Sequence, residues 1–219
     1  MIIIMLGAPA TGKGTVAGIL SKELNIPAVS TGDLFRENMK NGTEVGKLAE
    51  SYISNGNLVP DEVTVRMVEE RLQKDDAKNG VILDGFPRTI GQAETLDDLL
   101  KNEGKEVNYV INLTTPEDEL LERTTTRRVC KNCGQIYNIK TKPTKVEGIC
   151  DICGGEVYQR NDAKLDVAKN RLEVYKRETA PLEEYYNNTG KMLTYELSER
   201  INKMAKEVSE EVIEYIKQN

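Results

Sequence analysis

Four cysteines are the residues of this chain whose spacing most clearly suggests chemistry: Cys130, Cys133, Cys150 and Cys153. They form two pairs, each with two residues between its members, and 16 residues separate the pairs. This spacing is typical of two tight turns that converge on one tetrahedral zinc ion. Because four thiolates leave no position for a catalytic water, we predict one structural Zn²⁺ per chain. A disulfide or redox pair and free core thiols remain the alternatives.

A glycine-rich stretch near the start, GAPATGKGT at residues 7–15, has the spacing of a phosphate-binding loop. It follows an apolar run and precedes an amphipathic helical pattern, which is the setting in which such loops bind phosphate. There, backbone N–H groups and the helix N-terminus face an anion, and Lys13 reaches the outer phosphates. Gly14 replaces the usual Ser or Thr, and the hydroxyl comes at Thr15, so direct magnesium ligation by a hydroxyl stays open. A glycine turn without a ligand is the alternative.

Short apolar runs alternate with helical patterns along the rest of the chain. The runs that we interpret as strands are Ile2–Leu6, 26–30, 80–85, 107–113 and 192–195. Helical patterns cover 64–72, 90–100 and the end of the chain, where apolar residues fall on one face of a closing helix. This alternation predicts an α/β fold with a parallel sheet wrapped by helices. The cysteine segment interrupts the alternation, so we expect it to be an insertion.

Composition limits the possible functions. The formal net charge is -6, which argues against a surface that attracts nucleic acid as a whole. The apolar run near the start is too short to span a membrane and follows no basic leader, so we expect a cytoplasmic protein. The chain has no histidine, which excludes histidine-based mechanisms, including phosphohistidine transfer.

Three further stretches resemble the signature segments of adenylate kinases: STGDLFRE at 30–37, GNLVPDE at 56–62 and LDGFPRTIGQA at 83–93. The resemblance spans nearly the whole chain, and the cysteine insertion is similar to the lid of the zinc-containing bacterial type. It implies a phosphate-loop core at 1–29, 60–125 and 164–219, with a parallel sheet wrapped by helices. It also implies a helical AMP-binding lobe at 30–59 and a small zinc-ribbon-like lid at 126–163.

The resemblance further implies the activity, which is reversible Mg²⁺-dependent phosphoryl transfer from ATP to AMP to give two ADP. The expected partners are these nucleotides, with no nucleic acid or membrane, and the expected state is a monomer. By matching position, the residues expected to act in catalysis are Lys13, Asp84, Arg88, Arg123, Arg127, Arg160 and Arg171. Asp84 is expected near magnesium, through water.

The same matching assigns the two nucleotide sites. The residues expected around ATP are Gly7, Ala10, Thr11, Gly12, Lys13, Gly14, Thr15, Arg123, Arg127, Ile136, Tyr137 and Glu199. The residues expected around AMP are Thr31, Arg36, Asn57, Leu58, Val59, Gly85, Phe86, Pro87, Arg88, Gln92, Arg160 and Arg171, with Gln92 reading adenine.

Several of these assignments have simpler alternatives. Arg88 could pair with a surface carboxylate, and Arg123, Arg127 and the neighbouring Arg128 could form a solvated helix face. Asp84 could be a turn residue, and Tyr137 could pack only within the lid. A kinase for another nucleoside monophosphate would share the phosphate machinery, although Gln92 favours AMP. A zinc-ribbon nucleic-acid-binding ATPase would use basic residues of the cysteine segment 127–155, where Tyr137 is the one aromatic residue available for base stacking.

Three departures from the family pattern bear on these expectations. Ala10 stands where the loop usually has glycine, which we expect to be tolerated. Thr126 replaces a glycine before the paired arginines, which predicts a stiffer lid hinge, because glycine has the greatest backbone freedom. Ala163 follows Asp162 where a second aspartate is usual, so part of an aspartate-based contact between lid and core is expected to be lost.

Overall fold

The computed structural model of the chain describes residues 1–198 and 201–218. The main sheet contains β1 (Ile2–Leu6), β2 (Ala28–Ser30), β3 (Val81–Asp84), β4 (Tyr109–Thr114) and β8 (Met192–Glu196). Strands β5 to β7 form a second sheet, described below. These five strands are all parallel and lie in the order β2-β3-β1-β4-β8. The carboxyl ends of the strands therefore meet at one edge of the sheet, where ligands bind in such folds.

Helices connect the strands. They are α1 (Lys13–Leu24), α2 (Thr31–Lys40), α3 (Glu44–Ile53), α4 (Asp61–Leu72), α5 (Ile90–Asn102), α6 (Glu117–Thr126), α7 (Leu165–Val174), α8 (Pro181–Asn187) and α9 (Ile201–Gln218). Several begin at side-chain caps that the sequence supplies. Thr43 accepts the Gly46 N–H at 3.0 Å and Thr89 accepts the Gln92 N–H at 3.1 Å. Such caps satisfy N–H groups that the first helical turn leaves without partners.

The core lies on both faces of the sheet, because side chains of a strand point alternately to opposite sides. Ile2, Ile4 and Leu6 of β1 pack with α4, α5 and α8 on one face. Ile3 and Met5 pack with α1 and α9 on the other. Strands buried on both faces are continuous apolar runs in the sequence. The central strands could therefore be located from the order of residues alone.

Helices α2 and α3 form a small helical unit beside the sheet, with its own apolar cluster around Phe35, Ala49 and Val59. The two helices approach closely because α3 carries Gly46. A Cβ at that position would lie 2.2 Å from the Asn38 carbonyl oxygen. The unit lies between β2 and α4, so it flanks the carboxyl edge of the main sheet.

The cysteine segment forms a separate antiparallel sheet of β5 (Arg127–Cys130), β6 (Ile136–Asn138) and β7 (Val157–Tyr158), in the order β6-β5-β7. Its buried cluster consists of Cys130, Tyr137 and Cys150, with Val157 packed against it. The segment is an insertion between α6 and α7. It carries exposed apolar side chains, such as Ile152, and so has little apolar core of its own.

The predicted fold class is confirmed: an α/β core with a parallel sheet, a helical unit and a small cysteine-bearing sheet. The predicted strand at 26–30 is shorter in the structure, where it begins at Ala28. Of the closing helix, the structure describes Ile201–Gln218, and Val208, Val212 and Ile213 are buried as the apolar pattern predicts. Within the described parts of the chain, the helices lack the combination of length and apolarity needed to cross a bilayer.

Candidate active site

The phosphate loop connects β1 to α1 at the carboxyl edge of the sheet. Gly7 has φ 132°. A Cβ there would lie 2.2 Å from the Leu113 carbonyl oxygen, so the loop starts where only glycine fits. Gly12 is the N-cap of α1 and has φ 106°, and it offers no side chain to the first helical turn. The N–H groups at the start of α1 therefore have no side-chain cap and are available to bind an anion.

Lys13 curls back over the loop. Its Nζ donates to the carbonyl oxygens of Gly7 and Ala8, both at 2.7 Å. Asp84, at the end of the adjacent β3, faces the same loop, since a Cβ on Gly14 would lie 3.5 Å from its Oδ2. A lysine, a carboxylate and free helical N–H groups thus meet at one end of the sheet.

A cavity of about 1620 Å³ extends from this loop between the α2–α3 unit and the cysteine-bearing sheet. Of the predicted nucleotide-site residues that the structure describes, all but Thr11 and Phe86 line it. Thr11 is buried and its Oγ1 donates to the Ala8 carbonyl oxygen at 3.0 Å. Phe86 is buried in the core beneath the sheet edge. Glu199 lies outside the described residues. The binding roles of all these residues remain predictions.

Arg88 follows β3 and is held in place by several contacts. Its Nε donates to the Gly85 carbonyl oxygen at 2.8 Å, and its own carbonyl accepts from Thr179 Oγ1 at 2.9 Å. Gly85 has φ 78°, and a Cβ there would lie 2.7 Å from the Arg88 guanidinium. The absence of a side chain at this glycine therefore lets Arg88 lie across the strand end. The peptide bond between Phe86 and Pro87 is cis.

Residues from the α2–α3 side line the cavity opposite the phosphate loop. Thr31 Oγ1 donates to the Gly85 carbonyl oxygen at 2.7 Å, which ties the start of α2 to the end of β3. Arg36 is half-buried and pairs with Asp33 at 2.5 Å. Asn57 accepts from Asn170 Nδ2 of α7 at 3.1 Å, so this side of the cavity also contacts α7.

Two arginines from separate segments converge on Asp162, which is buried. Arg160 and Arg171 both form ion pairs with its Oδ2, the latter at 2.9 Å. Burial acts to raise the pKa of this carboxyl group, but the two guanidinium groups outweigh it and the pKa is lowered. Asp162 therefore stays ionised and fixes the direction of both arginines. The sequence marked Asp162 as a family position but did not assign it a role in the site.

Arg123 of α6 faces the cavity near the end of β8. Its guanidinium donates to Glu119 Oε2 at 2.8 Å, the Leu197 carbonyl oxygen at 3.0 Å and Thr115 Oγ1 at 3.2 Å. These contacts leave the side chain only 15% exposed. The predicted alternative of a solvated helix face is thus not what the structure has at Arg123.

The cavity concentrates positive charge in a poorly solvated place. Burial, together with repulsion from neighbouring arginines, outweighs the opposing effect of Asp84 or Asp162 and lowers the pKa of Lys13 to about 8, of Arg171 to about 9 and of Arg127 to about 10. Burial also lowers the pKa of Arg88. The Nε of Arg127 is buried with no hydrogen-bond partner among the described residues. Such groups favour an anionic ligand that restores the lost solvation.

The four cysteines meet at the far side of the cavity, in the second sheet. Their Sγ atoms all lie within 4.8 Å of one another. Cys130 and Cys153 are 3.5 Å apart and Cys133 and Cys150 3.6 Å apart. A disulfide bond would require about 2.05 Å. Tetrahedral zinc with Zn–S bonds of about 2.3 Å places sulfurs roughly 3.8 Å apart. The cluster therefore fits a structural zinc ion, and the disulfide alternative does not apply.

Tyr137 and Ile136 of β6 differ in their surroundings. Ile136 is exposed toward the cavity, as a residue that packs on a nucleotide would be. Tyr137 touches the cavity but is buried, with its hydroxyl 3.3 Å from Cys150 Sγ and accepting the Asp151 N–H at 2.8 Å. The hydrogen bond with this hydroxyl, together with backbone N–H groups of residues 152 and 153, lowers the pKa of Cys150 to about 6, which favours the thiolate that zinc binds. Tyr137 thus supports the cysteine cluster from the side of the cavity.

The departures from the family pattern have visible consequences. Ala10 has φ 69°, a left-handed conformation that costs a non-glycine residue about 1–2 kcal/mol. Thr126 ends α6, where its Oγ1 donates to the Glu122 carbonyl oxygen at 2.6 Å and accepts from Asn138 Nδ2 at 2.7 Å. The glycine usual at 126 has no side chain for either bond. Ala163 is buried next to Asp162.

Comparison with known proteins gives a consistent result. The family model described as adenylate kinase matches residues 5–191. An adenylate kinase from Caldicellulosiruptor saccharolyticus is 51% identical over 208 residues, covering 95% of this chain and 97% of that protein. An adenylate kinase from Streptomyces avermitilis is 50% identical over 195 residues, covering 89% of each.

The chain belongs to the adenylate kinase family. A third adenylate kinase, from Staphylococcus epidermidis, is 48% identical over 208 residues, covering 95% of this chain and 97% of the relative. Adenylate kinases are nucleoside monophosphate kinases that transfer a phosphoryl group from ATP to AMP and use Mg²⁺ with ATP. The predicted family and reaction are therefore confirmed.

Proposed function

We propose that the transfer takes place in the arginine-lined cavity, with ATP phosphates on the phosphate loop and AMP on the side of α2 and α3. The observation that carries this proposal is the convergence of cationic groups on one cavity. Lys13 comes from the loop after β1, Arg88 from the loop after β3, Arg127 from β5 and Arg171 from α7. Four segments distant in sequence thus bring positive charge to a place that also holds the free helix N-terminus of α1.

This arrangement suits the chemistry of phosphoryl transfer. Phosphate oxygens are competent nucleophiles, so the reaction needs alignment, charge neutralisation and exclusion of water rather than a covalent intermediate. One guanidinium group can donate two parallel hydrogen bonds to two phosphate oxygens, and it stays charged at neutral pH. Arg88, Arg160 and Arg171 are held by neighbouring groups, so they are already oriented before charge develops on the transferring phosphate.

Magnesium fits the carboxylate that faces the phosphate loop. Mg²⁺ prefers oxygen ligands, keeps several waters and is commonly bound through one carboxylate plus substrate phosphates. Asp84 is the carboxylate that would hold it, through water, where Gly14 leaves space beside the loop. The ion supplies neutralisation of the phosphate charge when it arrives with ATP.

We also propose a division of labour along the chain: residues 1–29, 60–125 and 164–219 as the core, 30–59 as the AMP-binding lobe and 126–163 as a lid. Ile136 and Arg127 of the second sheet line the cavity on the side away from the main sheet. Movement of the second sheet would therefore open and close the cavity to ATP. A lid of this kind would keep water from the phosphoryl group. We expect the enzyme to act as a cytoplasmic monomer on small nucleotides, without nucleic-acid or membrane partners.

The acceptor is tested with a coupled assay that supplies ATP, Mg²⁺ and one of AMP, GMP, CMP or UMP. AMP is expected to have a kcat/KM at least about 100-fold above the others, because a buried polar site rejects bases that leave its hydrogen bonds unpaired. ADP formation from ATP without an acceptor serves as the control. A second monophosphate that matches AMP would contradict the assignment of the acceptor site.

The burial of Lys13 predicts a pH dependence of nucleotide binding. With a pKa of about 8 in the free chain, Lys13 loses its charge as the pH rises through 8, whereas a bound phosphate would raise that pKa. Binding of Mg²⁺ and ATP is therefore expected to weaken above pH 8 and to take up a proton there, but not at pH 6.5. Calorimetry in two buffers of different ionisation enthalpy measures the uptake at each pH.

The matched control for this titration is Lys13→Arg, which keeps the positive charge at all relevant pH values. The uptake attributed to Lys13 is the difference between the two proteins, which removes contributions from the nucleotide itself. An equal uptake in both proteins at pH 8 would show that another group titrates.

A further inference from the structure

Gln92 lies at the start of α5, is 2% exposed and lines the cavity on the AMP side. Both ends of its side-chain amide have a partner in the protein. Its Nε2 donates to Asp61 Oδ1 at 2.6 Å, and its Oε1 accepts the Arg88 N–H at 2.8 Å. Asp61 is the first residue of α4 and is absent from the residues that line the cavity, so it contacts Gln92 from behind.

The two partners fix which way the amide faces. An ionised carboxylate only accepts hydrogen bonds, and a backbone N–H only donates. If the amide turned over, its oxygen would face the Asp61 carboxylate and its NH₂ group would face the Arg88 N–H. Both contacts would then be repulsive, and both buried partners would lose a hydrogen bond. Asp61 is itself held, since Thr89 Oγ1 donates to its Oδ2 at 2.7 Å.

The locked amide keeps one N–H and one oxygen lone pair free, because an amide has two donors and two acceptor sites. A 6-aminopurine presents a donor at its amino group and an acceptor at N1. A 6-oxopurine presents the reverse pair, an acceptor at O6 and a donor at N1. For a monophosphate whose phosphate is held by arginines, one orientation of the amide suits the first base and the other orientation suits the second.

We propose that Asp61 is a specificity-determining positioning residue, which locks the Gln92 amide in the orientation that accepts 6-aminopurine and rejects 6-oxopurine monophosphates. This inference rests on the proposed place of AMP beside Gln92. Asp61 does not touch the base. It acts by denying Gln92 the alternative orientation, so its removal should change the choice between bases more than the rate of transfer.

The test compares kcat/KM for AMP and for inosine monophosphate, which differs from AMP only at position 6 and the N1 proton. In Asp61→Asn the amide at 61 can donate as well as accept, so only the Arg88 N–H still opposes the turned-over orientation of Gln92. The ratio of kcat/KM for AMP over inosine monophosphate is expected to fall at least about tenfold, mainly through opposite changes in the two KM values. Asp61→Ala, which removes the acceptor entirely, should lower the ratio similarly.

The matched control is Glu62→Gln, which removes a neighbouring exposed carboxylate in the same first turn of α4 and should leave the ratio unchanged. Thermal melts establish that each variant is folded. If both Asp61 variants slow the two substrates equally, Asp61 has only a structural role and the proposal is overturned. Gln92→Leu separately tests the proposed place of AMP beside Gln92. If this variant leaves the ratio unaltered, Gln92 does not read the base, and the proposed AMP site is wrong as well.

Discussion

Replacing Arg88 with alanine is expected to lower kcat/KM for AMP by about 100- to 1000-fold, with a loss in kcat as well as a rise in KM. In other enzymes, kcat falls by a factor of about this size when one hydrogen-bond donor to the charge that develops in the transition state is removed. Arg88 is suited to that role because Gly85 and Thr179 fix its backbone and guanidinium before any ligand is bound. Steady-state kinetics with varied AMP at saturating ATP measures both constants.

The matched control is Arg66→Ala, which removes an exposed arginine from α4 that pairs only with Glu70 among the described residues. Its kinetics should stay within about threefold of the parent protein, since exposed ion pairs contribute little. A variant at Arg88 that keeps its full kcat and only binds AMP several-fold more weakly would refute a role in the transition state, because such a change removes uniform binding alone.

Loss of the metal is expected to have the second large effect, on stability. Purified protein should contain one zinc ion per chain, and Cys130→Ser should lose it. Structural zinc contributes binding free energy on the order of 10 kcal/mol to the folding of such segments. The loss of even about 4 kcal/mol lowers the melting temperature of a chain of this size by roughly 10 °C. Hydrogen exchange should become fastest in residues 127–158, whose sheet has only a small apolar cluster.

The control for this variant is Ile152→Ser, in the same turn as Cys150 and Cys153. Ile152 is 69% exposed and offers no ligand, so zinc content and melting temperature should be retained. Below the melting transition, Cys130→Ser should lose less in catalytic rate than in stability, because the cysteines lie outside the phosphate-binding groups. Metal analysis well below one ion per chain in the parent protein would refute the structural site.

The sheet could be predicted because each of its central strands is buried on both faces. Ile2–Leu6 and residues 81–83 are buried apolar runs with no polar face, and such runs can be recognised without knowing which strands lie beside them. The phosphate loop was recognisable for a related reason. Its glycines at 7 and 12 have backbone angles that other residues rarely adopt, so the requirement is visible in a single chain.

The contacts that hold the site's side chains in place could not be predicted from the sequence in this way. The contact of Asp61 with Gln92 joins residues 31 positions apart, and that of Arg171 with Asp162 depends on how α7 packs. Asp61 at a helix start is equally consistent with a simple favourable charge in the first turn. The contact of the Tyr137 hydroxyl with Cys150 likewise depends on the tertiary arrangement of the second sheet. Periodicity reports which face is buried, not which partner lies opposite.

Asp162 provides the cavity with a counter-ion that belongs to the chain itself. Arg160 and Arg171 share this one buried carboxylate, so their mutual repulsion is damped whether or not a substrate is present. At the proposed site, an incoming phosphate would therefore compete with the Asp162 carboxylate for these two arginines. The same competition would favour release of the product nucleotide, because Asp162 can pair with both arginines again once the phosphate leaves.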